Sequence, residues 1–256
     1  EARIGALLTP QGKIIVDFLI AEMPSEAGER LLLDCPRTLA QALTDKLNLY
    51  KLRAKLSIEN LSDRLGVIAA WGGVPAARPE LSYADPRRPE LGWRVIAPQD
   101  ELPRVAAELG AEIADVGAYD AQRIAHSIPQ GGLDFAYGDA FPHETNMDRL
   151  NGVDLGKGCY VGQEVVSRMH HRGTTRTRAA QVVLEGPAPE PGTPVVAGDK
   201  TVGTMGSAAA QAGIALPRID RTTEAIETGT PLTAGGLPLR VVDLHVLQGA
   251  PKQTVA

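Results

Sequence analysis

The chain has 256 residues, 43% hydrophobic, 22% charged and only 4% aromatic, with a formal net charge of −5. That length sets one large domain or two to three small ones, and the scarcity of rings leaves the core to Leu, Val, Ile and Ala. The acidic balance excludes a global basic footprint for nucleic acid, while leaving room for a local patch. No apolar run reaches the ~18 residues of a membrane helix, and no charged-then-apolar leader of the signal-peptide kind opens the chain. The sequence starts at Glu1 rather than Met and enters a strand-like segment almost at once, so an N-terminal piece is expected to precede it. Cys35 and Cys159 lie far apart without zinc-like spacing, which fits a reducing, cytosol-like compartment.

In chain order, KIIVDFLI at 13–20 is nearly continuous apolar and suits a strand buried on both faces. A short strand follows at 30–33. Pro36 is well placed to open a helix, with Leu39, Ala42, Leu43 and Leu47 at helical spacing on one face. Residues 56–58, 65–71 and 91–96 are further strand candidates. Asp100 reads as an N-cap for a helix carrying Leu102, Val105, Ala106 and Leu109 at i, i+3, i+4, i+7. Another helix is expected over 119–127. Strands alternating with helices to about residue 110 give an α+β pattern. From about Arg176, short β-rich runs (180–184, 193–196, 239–247) alternate with Gly/Pro-rich turns, GPAPEPG at 186–192 being the densest, which predicts a small barrel or sandwich. A domain boundary is placed near residue 177.

The chemistry concentrates in GKGCYVGQE at 156–164. Three glycines frame Cys159 and allow a tight loop with close backbone approach. The run after Gly162 puts Val165, Val166 and Met169 on one side of a short helix. Cys159 would then sit just before a helix N-terminus, beside Lys157, and both features favour a thiolate. Local physics leaves two readings open: a reactive or metal-capable thiol, and a small cysteine buried in a glycine-rich turn. No neighbouring residue offers a dedicated base. Cys35, without motif context, reads as packing.

KGCYVGQE resembles the signature of the YgfZ family of folate-binding proteins, within the superfamily of the glycine-cleavage T-protein. The flanks PHETNMDRLNGVDLG (142–156) and EVVSRMHHRG (164–173) are similar to that family, as are LLTPQGKIIVDF from Leu7, YADPRRPELGWR from Tyr83 and GTMGSAA from Gly203. The resemblance implies an α+β fold: a cloverleaf of two ferredoxin-like α+β domains and a C-terminal β-barrel, with tetrahydrofolate in a central hole. It implies a folate-binding region over 1–177, with about 10–97 inserted within the rest, and a barrel over 178–256.

A pterin presents an NH2–C–NH edge that needs a carboxylate or amide, and its glutamate tail suits Arg or Lys. Asp17 interrupts an apolar strand, where a buried carboxylate requires a partner. Related aminomethyltransferases carry two adjacent acids here, but this chain has Val16-Asp17. Glu144 and Asn146, in PHETN, match the family's folate-side segment; turn formation is their structural alternative. Tyr83, Trp93 and Arg94 are candidates for packing on the ring or holding the tail, with Trp93 as core filling and Asp85-Pro86 as a turn the alternative. Arg123-Ile124 resembles the start of a transferase segment whose glutamate is replaced by Ala125. The basic run Arg168, His170, His171, Arg172, Arg176 and Arg178 reads as a solvated surface or a contact for an anionic tail.

The resemblance implies a tetrahydrofolate-binding accessory factor for iron–sulfur cluster assembly or repair, working through Cys159 and Lys157 and meeting assembly or client proteins. It would act in a bacterial cytoplasm or a mitochondrial matrix. A folate-dependent one-carbon transferase is the alternative, which Val16 and Ala125 oppose. A regulator linked to tRNA modification is a third; direct nucleic-acid binding is disfavoured by the acidic charge. No metal-ligand set, membrane span or membrane partner is expected.

Overall fold

The structure, a computed structural model, describes residues 1–23, 29–76 and 78–247. Residues 248–256 of the expected barrel domain lie outside the described residues. The chain divides into two compact units: Glu1–Ala6 with Val16–Ala114, and Leu7–Ile15 with the chain from Asp115 onward.

The first unit holds one three-stranded sheet and most of another. In the latter, β1 (Ala2–Leu8), β2 (Ile14–Met23) and β3 (Arg30–Asp34) lie in sequence order, and β1 and β2 have their ends at residues 7–8 and 14–15 in the second unit. β2 alternates buried and partly exposed residues along most of its length rather than being buried on both faces. A 3-10 turn from Arg37 to Leu39, with Pro36 at its N-cap, leads into α1 (Ala40–Tyr50). Leu43 is buried there, whereas Ala42 faces solvent. In the second sheet, β6 (Trp93–Pro98) lies between β4 (Leu65–Ala70) and β5 (Ser82–Ala84), all antiparallel. Val95 and Ala97 on β6 pack with Val105 of α2 (Leu102–Glu108) and with Leu109 at its C-cap, the apolar face expected from its spacing. Asp100 is not the cap of this helix. It lies inside a 3-10 turn, Gln99–Glu101, that runs directly into α2. Residues 56–58 form no strand.

In the second unit, α3 (Val116–Ala125) is capped by Asp115, whose side chain accepts from the Ala118 amide at 2.8 Å. α4 (Gln163–Arg172) follows the glycine-framed loop. The expected short strands close into a six-stranded barrel in the order β10-β7-β12-β11-β8-β9. Its members are β7 (Ala180–Leu184), β8 (Pro194–Ala197), β9 (Lys200–Ala209), β10 (Ala212–Pro217), β11 (Leu232–Ala234) and β12 (Leu237–Val241). β12 ends at Val241, so the expected strand over 239–247 gives way to a 3-10 turn, Leu244–Leu247. Val182, Leu184, Val195, Val202, Met205 and Leu239 are among the residues filling the barrel. Closure pairs every strand and leaves no exposed edge. The helix α5 (Ile219–Glu227) contributes Ala225 to the same core.

An ion-pair knot fixes α3 to the barrel. Arg123, 1% exposed, donates to Asp134 (2.8 Å), to Asp120 (2.6 Å) and to the Ser207 hydroxyl on β9 (2.9 Å). Asp134 also accepts from the Ser207 amide at 2.6 Å. A buried guanidinium requires such pairing, so the residue that resembled the start of a transferase segment is a structural tie.

Candidate functional site

The loop bearing Cys159 is held at both ends. At its start, one oxygen of Asp154 accepts from the backbone amides of Gly156 (2.8 Å) and Lys157 (3.1 Å). At its end, the Tyr160 amide donates to the Gln163 side chain (3.2 Å), while the Gln163 amide donates back to the Tyr160 carbonyl (3.2 Å). Gly162 then enters α4 with φ +84°. Its bare Cα lies against the turn after β1: a Cβ there would stand 2.8 Å from both the Gly12 Cα and the Thr9 carbonyl oxygen. Val166 and Met169 bury the inner face of α4, as the spacing predicts.

Between these anchors the Cys159 thiol is free and exposed. The Lys157 ammonium sits 4.4 Å from the centroid of the Tyr160 ring, a cation–π contact. Lys157 is thus drawn to the ring beside the thiol, and no hydrogen bond joins it to Cys159 among the described residues. The Tyr160 hydroxyl pKa is pushed up, by burial first and by Asp154 second. The N-cap of α4 is Gly162, so Cys159 stands off the helix end rather than on it.

Glu144 and Asn146 act within the preceding loop. The two carboxylate oxygens of Glu144 accept from the Phe141 amide and from the Thr177 hydroxyl, each at 2.9 Å. Asn146, at φ +62°, donates to the Ala179 carbonyl (2.8 Å) and accepts from Arg178 (3.2 Å). Arg178, almost wholly buried, forks onto Asp148 at 2.8 and 3.1 Å. These bonds staple the loop to residues 177–179 at the entry to the barrel. Beside them His143 is buried, with neither ring nitrogen hydrogen-bonded. Burial pushes its pKa down. Its ring lies 5.9 Å from that of His170, which lies 5.3 Å from His171.

The remaining candidates belong to the first unit. Tyr83 and Arg94 are cross-strand partners on β5 and β6, and both converge on Asp34 at the end of β3. The Tyr83 hydroxyl donates at 3.0 Å, and Arg94 donates through Nε (2.9 Å) and Nη2 (2.6 Å). The Tyr83 hydroxyl is held far above its usual pKa, mainly by burial and next by Asp34. Asp34 is a residue the sequence reading passed over; its one signal is a carboxylate closing the apolar run LLLD. Asp17 on β2 is half-buried. Its charge is felt at Cys35, whose pKa is raised to about 11 by burial first, then by Asp34 and Asp17. Trp93 carries the Arg78 guanidinium 4.4 Å from its ring centroid, and Asp85 is forked by Arg87, a turn lock. The structure therefore groups Asp17, Asp34, Cys35, Tyr83 and Arg94 in one unit, and Glu144, Asn146, Lys157 and Cys159 in the other. Among the described residues, no three His, Cys, Asp or Glu side chains form a metal-holding cluster.

Comparisons with known proteins follow this division. Residues 176–247 match the family model described as the CAF17 C-terminal β-barrel domain. The chain is similar to iron–sulfur cluster assembly factors of the IBA57 type. It is 35% identical to a mitochondrial homolog from Mycosarcoma maydis over 67% of this chain and 43% of that protein. It is 34% identical to the mitochondrial protein of Mus musculus (75% and 56%) and 30% identical to that of Homo sapiens (82% and 62%). The chain thus spans about half the length of the curated relatives it matches. In fold it resembles the glycine cleavage system aminomethyltransferase T from Bartonella henselae. The TM-score is 0.73 at 14% identity, covering 96% of this chain and 76% of that one. The expected mixed α/β fold of T-protein type with a C-terminal barrel is therefore present.

Proposed function

The chain is a homologue of the IBA57 iron–sulfur cluster assembly factors with a CAF17-type C-terminal barrel, and from that premise we propose that it is a folate-binding accessory factor for iron–sulfur cluster assembly or repair that works through Cys159. The observation that carries this reading is the free, exposed thiol on a loop tied down at both ends. Clusters are usually held by four cysteine thiolates. One cysteine therefore acts in trans, supplying a single ligand to a cluster held jointly with a partner protein.

Tetrahydrofolate is the cofactor we assign, and the residues present fit part of its chemistry. Asp17 is a partly exposed carboxylate able to accept from the NH2–C–NH edge of a pterin. Arg94 pairs with Asp34, and Glu144 ties its loop to Thr177; on the chemistry of its carboxylate and its place on β2, Asp17 is the residue we assign to that edge. The compartment that goes with this reading is a bacterial cytoplasm or a mitochondrial matrix; the relatives named above are mitochondrial. No helix among the described residues is long and apolar enough to cross a membrane.

The test is rescue of iron–sulfur enzyme activity in cells lacking the native protein, paired with calorimetric titration of tetrahydrofolate. Cys159→Ala is expected to bind folate and fail to rescue, and Asp17→Ala to lose folate. Full rescue by Cys159→Ala refutes the thiol's role; a wild-type chain that binds no folate refutes the cofactor. The T-protein-like fold favours a second reading, a one-carbon transferase, which Val16 and Ala125 oppose. Turnover of an aminomethyl donor with tetrahydrofolate would establish it.

A further inference from the structure

We infer that the outward face of α4 is the docking site for an acidic segment of a partner protein, seated beside the Cys159 loop. The inference rests on the reading that Cys159 works on a partner, and it adds which surface holds that partner and by what chemistry.

A surface groove of about 620 Å³ runs along α4, with Tyr160, Glu164, Ser167, Arg168, His171 and Arg172 in its lining. Arg168, His171 and Arg172 follow the i, i+3, i+4 spacing that puts side chains on one face, and all three are exposed. Val166 and Met169 bury the opposite face, so this one is fixed outward.

Neither arginine has an ion pair or hydrogen bond among the described residues. Other surface arginines do: Arg104 holds Glu101 and Glu108, Arg64 holds Glu59, and Arg218 holds Asp220. Glu164, one turn before Arg168, is not paired with it. From Gly156 to Arg178 the chain carries Lys157, Arg168, Arg172, Arg176 and Arg178 against Glu164 alone, within a protein of net charge −5. Only Arg178 is neutralised, by Asp148. The last turn of α4 is the negative end of the helix dipole and favours His171 and Arg172 there. Arg168 and Arg172 are thus exposed cations with no counter-ion among the described residues. Carboxylates suit such forks.

The partner is a protein rather than an RNA. Single-stranded nucleic acid needs stacking rings along a basic track. Of the groove's two rings, Tyr160 already carries Lys157 and His171 meets His170 edge-on, which leaves no run of rings along the track. Tyr160 also ties the groove to the thiol, being next in the chain to Cys159. On the other side of the thiol the backbone is bare: a Cβ added to Gly158 would meet nothing within 4 Å. A chain seated on α4 thus has open access to Cys159.

The test uses a fluorescein-labelled oligoglutamate peptide and an oligouridylate, measured by anisotropy. The wild-type chain is expected to bind the peptide at low salt and to release it as salt screens the contact. Arg168→Ala with Arg172→Ala should weaken that binding by up to about thirtyfold, taking the loss of two charge pairs at the upper end for exposed sites. Arg104→Ala and Cys159→Ala should leave it unchanged. No low-salt binding by the wild type, no effect of the arginine pair, or tighter binding of the oligouridylate would each overturn the proposal. In the rescue assay the arginine pair should fail while its unfolding curve stays that of the wild type. Full rescue by the arginine pair alongside failure of Cys159→Ala sinks the docking site and leaves the thiol's role standing. The reverse pattern sinks the thiol's role and leaves the docking site.

Discussion

Replacing Gly162 by alanine tests whether the Cys159 loop is held by backbone contact. Gly162 sits at φ +84°, a conformation that costs an ordinary L-residue about 1–2 kcal/mol. The added methyl would also stand 2.8 Å from the Gly12 Cα and from the Thr9 carbonyl oxygen. Both are backbone atoms, so relief requires moving the turn after β1 or the start of α4, and overpacking of this kind costs about 1–3 kcal/mol. The two terms together predict a loss of about 2–5 kcal/mol, a large share of a domain's usual ~5–15 kcal/mol. Gly158 is the control: its φ is not positive and its surroundings are empty, so Gly158→Ala should fall within about 0.5 kcal/mol of the wild type. Urea denaturation measures both through the midpoint at unchanged slope. Trp71 and Trp93 both lie in the first unit, so far-UV circular dichroism, not tryptophan fluorescence, is the probe that follows the second. Equal midpoints for the two variants would refute the argument.

Asp134→Ala should cost about 3–5 kcal/mol, because it strands the buried Arg123 guanidinium and the Ser207 amide. Arg123→Met combined with Asp134→Leu should cost less than the sum of the two single changes, which a double-mutant cycle in urea would measure. Cys35 has its pKa raised from 9.0 to about 11; two units mean about a hundredfold less thiolate at any pH below about 9. Iodoacetamide at pH 8 should therefore mark Cys159 and spare Cys35, with Asp17→Asn raising Cys35 labelling; equal labelling of both by mass spectrometry contradicts the reasoning. The sign for stability follows: a thiol whose pKa is raised on folding stabilises the fold below pH 9, and that contribution is lost as pH rises through about 11.

Elements with strong apolar periodicity were readable from the chain: β2, β3, β4 and β7, and helices α1 to α4, within a few residues of their bounds. What escaped had weak periodicity. β9 is KTVGTMGSAA, whose small residues pack because the barrel surrounds them, not because they favour strands. α5 is polar along most of its length and buries Thr222 and Ala225. Asp100 and Asp115 look alike as caps in sequence. They differ in backbone: Asp115 is extended, which brings its carboxylate to the Ala118 amide, while Asp100 is already inside a 3-10 turn. At the candidate site the glycine-framed thiol was legible because its constraints are local. The pairing of Tyr83 and Arg94 with Asp34 was not, because it joins β3 to a different sheet more than forty residues along the chain. The same holds for Asn146 and Arg178, whose separation is 32 residues.

The two cysteines show how the fold, rather than the residue type, decides which thiol is accessible: Cys159 is exposed and Cys35 half-buried. Cys35 follows Asp34 directly and also feels the charge of Asp17; burial opposes a thiolate most, then the two acids. Its proton stays on, and a protonated thiol is neither a good nucleophile nor a metal ligand. The acids that silence Cys35 belong to the neighbourhood we assign to folate, where a carboxylate is needed for the pterin edge. Such acids and an active thiol therefore work against each other in one place. Cys159 lies in the other unit, exposed, with Lys157 and the unpaired cations of α4 nearby in the chain. A chain of net charge −5 thus still carries a basic run, from Lys157 to Arg178, that includes the thiol we propose it works through.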